Sequence, residues 1–267
     1  MPELSIAGND VFYYNKAEKK TNSQCTRHYH NSFEIYYLKE GCCNYFIDNR
    51  SYDLTAGDIV LIPEGVIHKT NYDKNEPHTR YLINCSSAYV PRGVLPIIPS
   101  LMYLYRNNGI SERVEELLIR IGEEYERHDE FREEALRCLN FELFFLLARN
   151  ANECSEVSSG SLFIEETVKY IQKNYMTDIT LSMMARLHSV SSEHLSRTFK
   201  KETGFGFSEY LTLVRLQKAE YMLRNEPGRS VSEIAYACGF NDSNYFSDKF
   251  RRSYGVAPSS LRRRGKK

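Results

Sequence analysis

Two histidines one residue apart, His28 and His30, are followed at a spacing of four by Glu34 in the stretch TRHYHNSFEIYYLKEG, residues 26–41. Imidazoles and a carboxylate so placed could hold a metal, or form the floor of a pocket that senses a small molecule. Side chains alternate faces along a strand, so His28, His30, Glu34 and Tyr36 are expected on one side and Ile35 and Tyr37 on the other. A second group of side chains, near the C-terminus, has a different chemistry. Glu193, His194, Ser196, Arg197 and Lys200, and then Ser243, Asn244, Ser247, Asp248 and Arg251, fall at helical spacing on polar faces. Arginine suits guanine O6 and N7, asparagine suits adenine N6 and N7, and a glutamate can accept from cytosine N4. A single face of this kind reads more simply as a solvated helix surface.

The elements that must position these residues differ between the halves of the chain. Between residues 10 and 90, FEIYYL, CNYFI, DIVLI and RYLIN are rich in β-branched and aromatic residues and are separated by the turns KEG, DNR, TAGD and PEG. Short strands at this spacing indicate an antiparallel barrel or sandwich. Residues 90–100, VPRGVLPIIPS, hold three prolines and are expected to form an extended connection that ends the β domain. Two helices follow. SERVEELLIRIGEEYER carries the stripe Val114, Leu117, Leu118, Ile121 and Tyr125, and FREEALRCLNFELFFLLARN becomes apolar nearly all round at 143–147. That second helix is either sandwiched between the β domain and its partner helix or forms a homodimer interface. Residues 151–160 are small and polar and read as a linker, and beyond them the chain is helical.

The chain has 267 residues, 42% of them hydrophobic and 26% charged, as expected of one large or two ordinary globular domains. No apolar run approaches the length of a membrane span, and the N-terminus lacks the basic and apolar pattern of an export signal, so the expected location is the cytosol with no membrane partner. Seven scattered cysteines without a CxxC pair suggest neither a disulfide framework nor a cysteine zinc site. The formal net charge is zero but unevenly spread. From residue 161 onward there are 18 Lys and Arg against 11 Asp and Glu, leaving 17 against 24 before it. A basic C-terminal part suits a polyanion, although a basic tail such as LRRRGKK also serves solubility.

That basic part contains a repeat. TLSMMARLHSVSSEHLSRTFKKETG (180–204) and SVSEIAYACGFNDSNYFSDKFRRSYG (230–255) superpose at an offset of 51, matching Ser196 to Ser247, Phe199 to Phe250 and Gly204 to Gly255. Each unit has a short helix, a tight turn and a second helix opening at a capping residue, Ser191 or Asp242. This is helix-turn-helix architecture, and two copies in a basic domain favour double-stranded DNA as the partner.

On SVSEIAYACGFNDSNYFSDKFRRSYGVAPSSLRR, with Ile234, Ala235, Gly239, Phe240, Phe246, Phe250, Gly255 and Pro258 in place, residues 161–264 resemble the DNA-binding domain of the arabinose-regulator (AraC/XylS) family of transcription factors. The resemblance implies two DNA-reading subdomains and a ligand-sensing, often dimerising, N-terminal domain. Leu261 departs from the tyrosine usual in the family, and Asp248 places a carboxylate near phosphates. His28, His30, Glu34 and Gly41, with Gly57, Pro63, Gly65 and His68 in GDIVLIPEGVIH, resemble the two motifs of the cupin barrel. In metal-dependent cupins the matching three histidines and glutamate bind one divalent ion such as Mn, Fe, Ni or Zn, so His28, His30, Glu34 and His68 could do so here.

The resulting expectation is an α+β chain of two domains. A cupin-like effector-binding barrel covers 1–100, a helical pair for dimerisation or interdomain packing covers 101–150, a linker covers 151–160, and an all-α tandem helix-turn-helix domain covers 161–267. The effector would meet His28, His30, Glu34, Tyr36 and His68, with Tyr36, Tyr45 and Tyr81 lining a pocket suited to hydroxyl-rich ligands such as sugars. The expected function is an effector-responsive transcriptional regulator, an activator that would engage RNA polymerase, acting as a homodimer. No cofactor is required, and a divalent metal in the barrel is the one allowed. The alternative is a metal-dependent cupin enzyme fused to a DNA-binding module.

Overall fold

The structure, a computed structural model, describes residues 12–19, 30, 32–72, 76–100, 104–106, 109–151 and 160–261. The chain divides into two compact units, one within Ala7–Ser159 and the other within Gly160–Lys267. His28 and most of the expected linker, residues 152–159, lie outside the described residues.

In the first unit the strands are β1 (Phe12–Lys19), β2 (Phe33–Glu40), β3 (Cys42–Ile47), β4 (Arg50–Thr55), β5 (Ile59–Ile62), β6 (His68–Asn71), β7 (His78–Cys85) and β8 (Leu104–Tyr105). They form two antiparallel sheets, in the order β1-β7-β2-β5-β8 and β4-β3-β6. The alternation expected of β2 decides what each face does. Tyr36 and Leu38 pack with Val60, Ile62 and Leu104 of their own sheet against Cys43, Tyr45, Ile47, Tyr52 and Leu54 of the other, forming the core between the sheets. Phe33, Ile35 and Tyr37 face the opposite way, with Leu61, Tyr81 and Ile83, and are covered by helices. Each such side chain, fully buried, contributes about 1.5–3 kcal/mol, so a one-residue slip of β2 would invert both cores at once.

The turn between β2 and β3 depends on Gly41, whose φ is +89° and where an added Cβ would lie 2.5 Å from the Pro77 carbonyl oxygen. Only glycine meets both conditions without strain.

The proline-rich segment differs from the expected extended connection. Residues Leu95–Ser100 form a 3₁₀ turn, and the chain then returns to the sheet as β8, which pairs with β5 through Ile59↔Tyr105 and Val60↔Leu104. The prolines bar a long helix but allow 3₁₀ turns.

Helices α1 (Ser111–Tyr125) and α2 (Arg132–Arg149) cover the outer face of the larger sheet. Val114, Leu117, Leu118 and Ile121 of α1, and Leu136, Leu143, Phe144 and Leu147 of α2, fill that layer. The sheet approaches α1 closely at Gly122, where a Cβ would come within 2.5 Å of the Tyr14 hydroxyl.

The second unit comprises α3 (Leu162–Asn174), α4 (Leu181–Leu187), α5 (Ser192–Thr203), α6 (Phe207–Asn225), α7 (Val231–Ala237) and α8 (Ser243–Tyr254). Local sequence sets the helix ends. Ser191 Oγ accepts from the His194 backbone N–H, and Asp242 Oδ1 accepts from the N–H groups of Asn244 and Tyr245, capping α5 and α8. Ser230 and Glu233 form a capping box on α7. Gly204 and Gly255 end α5 and α8 in the left-handed conformation, with φ of +77° and +72°. The repeat has one irregularity. Helices α5 and α8 start 51 residues apart, whereas α4 and α7 start 50 apart, so the second turn is one residue longer than the first.

Candidate functional site

The polar group of the first unit lies among the side chains facing the inter-sheet core. Glu34, from β2, is 6% exposed. One carboxylate oxygen, Oε1, accepts from the Tyr45 hydroxyl of the opposite sheet at 2.6 Å. The other, Oε2, lies 3.0 Å from His30 Nε2 and 3.6 Å from His68 Nε2. The two imidazoles meet edge to face with centroids 5.0 Å apart. Neither ring is free to turn, because His68 Nδ1 donates to the Val66 carbonyl at 2.8 Å and His30 Nδ1 lies 2.9 Å from the Ser32 carbonyl. A backbone bond from Gly65 N–H to the His30 carbonyl, 3.0 Å, ties the turn before β6 to the entry of β2 and so brings the two motifs together.

Burial alone would raise the Glu34 pKa, but the facing His68 and the hydrogen bond from His30 outweigh it and hold the carboxyl well below the usual carboxylate range. Glu34 in turn raises His68 above the usual imidazole value against the effect of its burial. One ligand atom from each of His30, Glu34 and His68 can be chosen so that all lie within 4.8 Å of one another. Two imidazole nitrogens and a carboxylate oxygen are a donor set suited to a divalent ion.

Tyr36 extends the polar group. Its hydroxyl lies 2.7 Å from that of Tyr72, whose ring stacks on His78 at 3.7 Å between centroids. Sequence reasoning did not select Tyr72, and it named Tyr45 only as a lining residue. The alternation in CNYFI aims Tyr45 with Cys43 and Ile47, but which sheet they would face is a long-range fact. Tyr81 is a correction. It packs on the helix-covered face beside Tyr37 and Tyr14 and lines no pocket with Tyr36, because the register Tyr37↔Tyr81 gives it the parity of Tyr37.

Helices α5 and α8 carry the second candidate surface. Leu195 and Phe199, and Phe246 and Phe250, are fully buried, which turns the opposite faces outward. Glu193, His194, Ser196, Arg197 and Lys200 are exposed on α5, and Asn244, Asp248 and Arg251 on α8. Ser243 and Ser247 are half-buried, and Ser247 Oγ donates back to the Ser243 carbonyl at 2.8 Å. His194 stacks on Phe163 of α3. Arg197 lies 3.9 Å from Glu193, a loose pair that costs little to separate. Asp248 pairs with Arg252 at 3.1 Å, which offsets its charge beside any phosphate. Tyr245, which sequence reasoning passed over, is 51% exposed at the third position of α8. The repeat could have revealed it, since the offset of 51 matches it to His194.

An inward-facing polar group in a β unit, joined to two tandem helix-turn-helix elements, defines a ligand-responsive transcriptional regulator. Residues 16–139 match the AraC-like ligand binding domain and residues 184–264 match a helix-turn-helix domain. The chain belongs to the AraC family of transcription regulators. It is 24% identical over 242 residues to the HTH-type transcriptional activator RhaS of Escherichia coli strain SE11, a match covering 88% of this chain and 86% of that protein. The C-terminal domain of AraT, a response regulator from Geobacillus stearothermophilus, is 35% identical over 39% of this chain and 87% of its own, with a TM-score of 0.38. ToxT from Vibrio cholerae is 16% identical over 93% of this chain and 97% of its own, with a TM-score of 0.39. Among the described residues no helix is long and apolar enough to cross a membrane.

Proposed function

We propose that the chain is an activator whose effector binds at the polar group of His30, Glu34, Tyr36, Tyr45 and His68, and whose α5 and α8 then engage two neighbouring half-sites. The observation that carries this reading is Glu34, a buried carboxylate held by partners from both sheets. Groups this expensive to bury serve a ligand or a switch more readily than packing. Acceptors and hydroxyl donors together suit a small polyhydroxylated effector such as a sugar. The activator role follows the RhaS relative and would bring RNA polymerase as a partner. The domain limits assigned from the sequence, with the β domain extended to Tyr105 to include β8 and the helical pair after it serving dimerisation, and a cytoplasmic location belong to the same reading. Residues 1–150 screened by calorimetry against sugars and small acids should yield a ligand whose binding is lost in Glu34→Ala. A ligand that binds Glu34→Ala as tightly as the parent protein sinks the assignment.

A homodimer through α2 is part of this proposal. Phe145 is 43% exposed on that helix and Phe131, at its N-cap, is 65% exposed, and Cys138 and Phe141 line an open groove of about 560 Å³ beside it with Ala88, Val90 and the charged Arg92, Glu134 and Arg137. Exposed aromatics along one helix mark an interaction face. Sedimentation should show a dimer that Phe145→Glu converts to monomer, and an unchanged mass would remove α2 from the interface.

One observation favours a metal-dependent variant of this reading. His68 Nδ1–H donates a hydrogen bond to the Val66 carbonyl, so a neutral ring turns its Nε2 lone pair toward Glu34. Either the ring is an imidazolium or a cation sits between them. His30, Glu34 and His68 would hold a divalent ion, which would supply a Lewis-acidic anchor for an effector oxygen. Elemental analysis of protein purified without chelator should find about one equivalent, lost in His68→Ala. Metal-free protein that still responds to its effector excludes this variant.

A further inference from the structure

The two recognition helices belong to separate helix-turn-helix elements, and a rigid composite reader needs something to fix one against the other. The structure places one arginine at that junction. Arg215, midway along α6, donates from Nε to the Tyr175 carbonyl and from Nη2 to the Thr177 carbonyl, both at 2.8 Å. These carbonyls lie just past the end of α3, which packs with the first element, and helix-end carbonyls lack intrahelical partners. On its other side the guanidinium meets the turn of the second element. At Gly239, between α7 and α8, an added Cβ would lie 2.7 Å from the Tyr175 carbonyl oxygen, 2.9 Å from Arg215 Nε and 3.0 Å from the Met176 carbonyl oxygen. The longer second turn therefore lies directly on the end of α3, with Arg215 wedged beside it. Gly239 has a φ of +82°, so the turn can make this approach only with glycine.

We infer that Arg215 is a positioning residue that sets the relative orientation of α5 and α8, and with it the spacing of the half-sites the chain accepts. The planar fork is the relevant chemistry. Two divergent carbonyls are held by one rigid planar group, whereas a lysine ammonium on a flexible stem would not fix their relative direction. Rigidity between two readers raises the effective concentration of the second once the first is bound. Loosening the junction should therefore weaken binding to the composite site and leave each half-site contact alone. The inference rests on both helices reading DNA, and its test separates the two ideas.

The experiment uses the full chain and a duplex selected by it from a random-sequence library, with derivatives in which either half is scrambled or one base pair is inserted between the halves. Arg215→Ala should raise the Kd for the intact duplex by about tenfold or more and change half-site binding by no more than about twofold. The penalty that the parent protein shows for the inserted base pair should shrink. Arg215→Lys should fall between the two, and Gly239→Ala, which crowds the same junction from the other side, should repeat the pattern. Circular dichroism identifies which variants are folded, and any folded one decides the matter. An equal loss on intact and half-site duplexes, or no loss on either, overturns the role of Arg215. A parent protein indifferent to scrambling one half overturns the two-helix reading and the inference with it.

Discussion

Glu34 shows why a single residue could be selected from sequence while its surroundings could not. Its parity with His30 and Tyr36 is a local property of a strand, legible in FEIYYLKE. Tyr45 and Tyr72 reach the site from segments that sequence adjacency does not connect to β2, and Tyr81 was misplaced for the same reason. With 6% exposure and partners on both oxygens, Glu34 cannot be removed quietly. Glu34→Ala should destabilise the first unit by about 3–5 kcal/mol in chemical denaturation, because it strands a buried imidazole, while DNA binding by residues 160–267 stays intact. A loss below about 1 kcal/mol would mean that water or relaxation already satisfies His30 and His68. On α5, the side chain of Arg197 is exposed and only loosely held by Glu193. Arg197→Ala should cost about 1–3 kcal/mol of specific binding, concentrated at one base pair when every position of the site is varied in turn. A loss spread evenly over all sequences would make it a phosphate contact instead.

Elements were more legible than the contacts between them. Caps and stripes are written within a few residues, so α1, α2 and the repeated helices stand close to where the sequence puts them. The Asp242 cap is one such local signal, and Asp242→Ala should cost about 1 kcal/mol in thermal unfolding by freeing the N–H groups of Asn244 and Tyr245. Asp242→Asn should cost less, and equal losses would show that charge rather than geometry caps α8. Strands β1, β4, β6 and β8 were not singled out in the sequence, and β8, two residues long, is recognised only by its pairing with β5. Close approach between elements is also invisible locally, since Gly122 reads as a flaw in a good helix until Tyr14 is seen against it. Gly122→Ala gains helix propensity of about 1 kcal/mol yet should be net destabilising, because overpacking costs about 1–3 kcal/mol. A rise in melting temperature would mean that β1 shifts aside at little cost.

At the scale of the whole molecule, the charge imbalance between the halves was readable from composition, but how effector occupancy reaches DNA was not, because coupling is a difference between states. Thermodynamics still constrains it. If the effector tightens DNA binding by some factor, DNA must tighten effector binding by the same factor, whatever the path between the units. Titrating effector into the full chain with and without its selected duplex should give two affinities whose ratio matches that of the duplex with and without effector. The salt dependence divides the labour further. The DNA-binding unit supplies the cations, so the slope of log affinity against log salt, counted per protomer bound, should be nearly the same for the full chain and for residues 160–267, at about −0.9 per phosphate neutralised. A shallower slope in the full chain without effector, restored when effector is added, would show that the acidic unit competes with DNA for the basic surface. Equal slopes with unequal affinities would instead locate control in the geometry of the two reading helices.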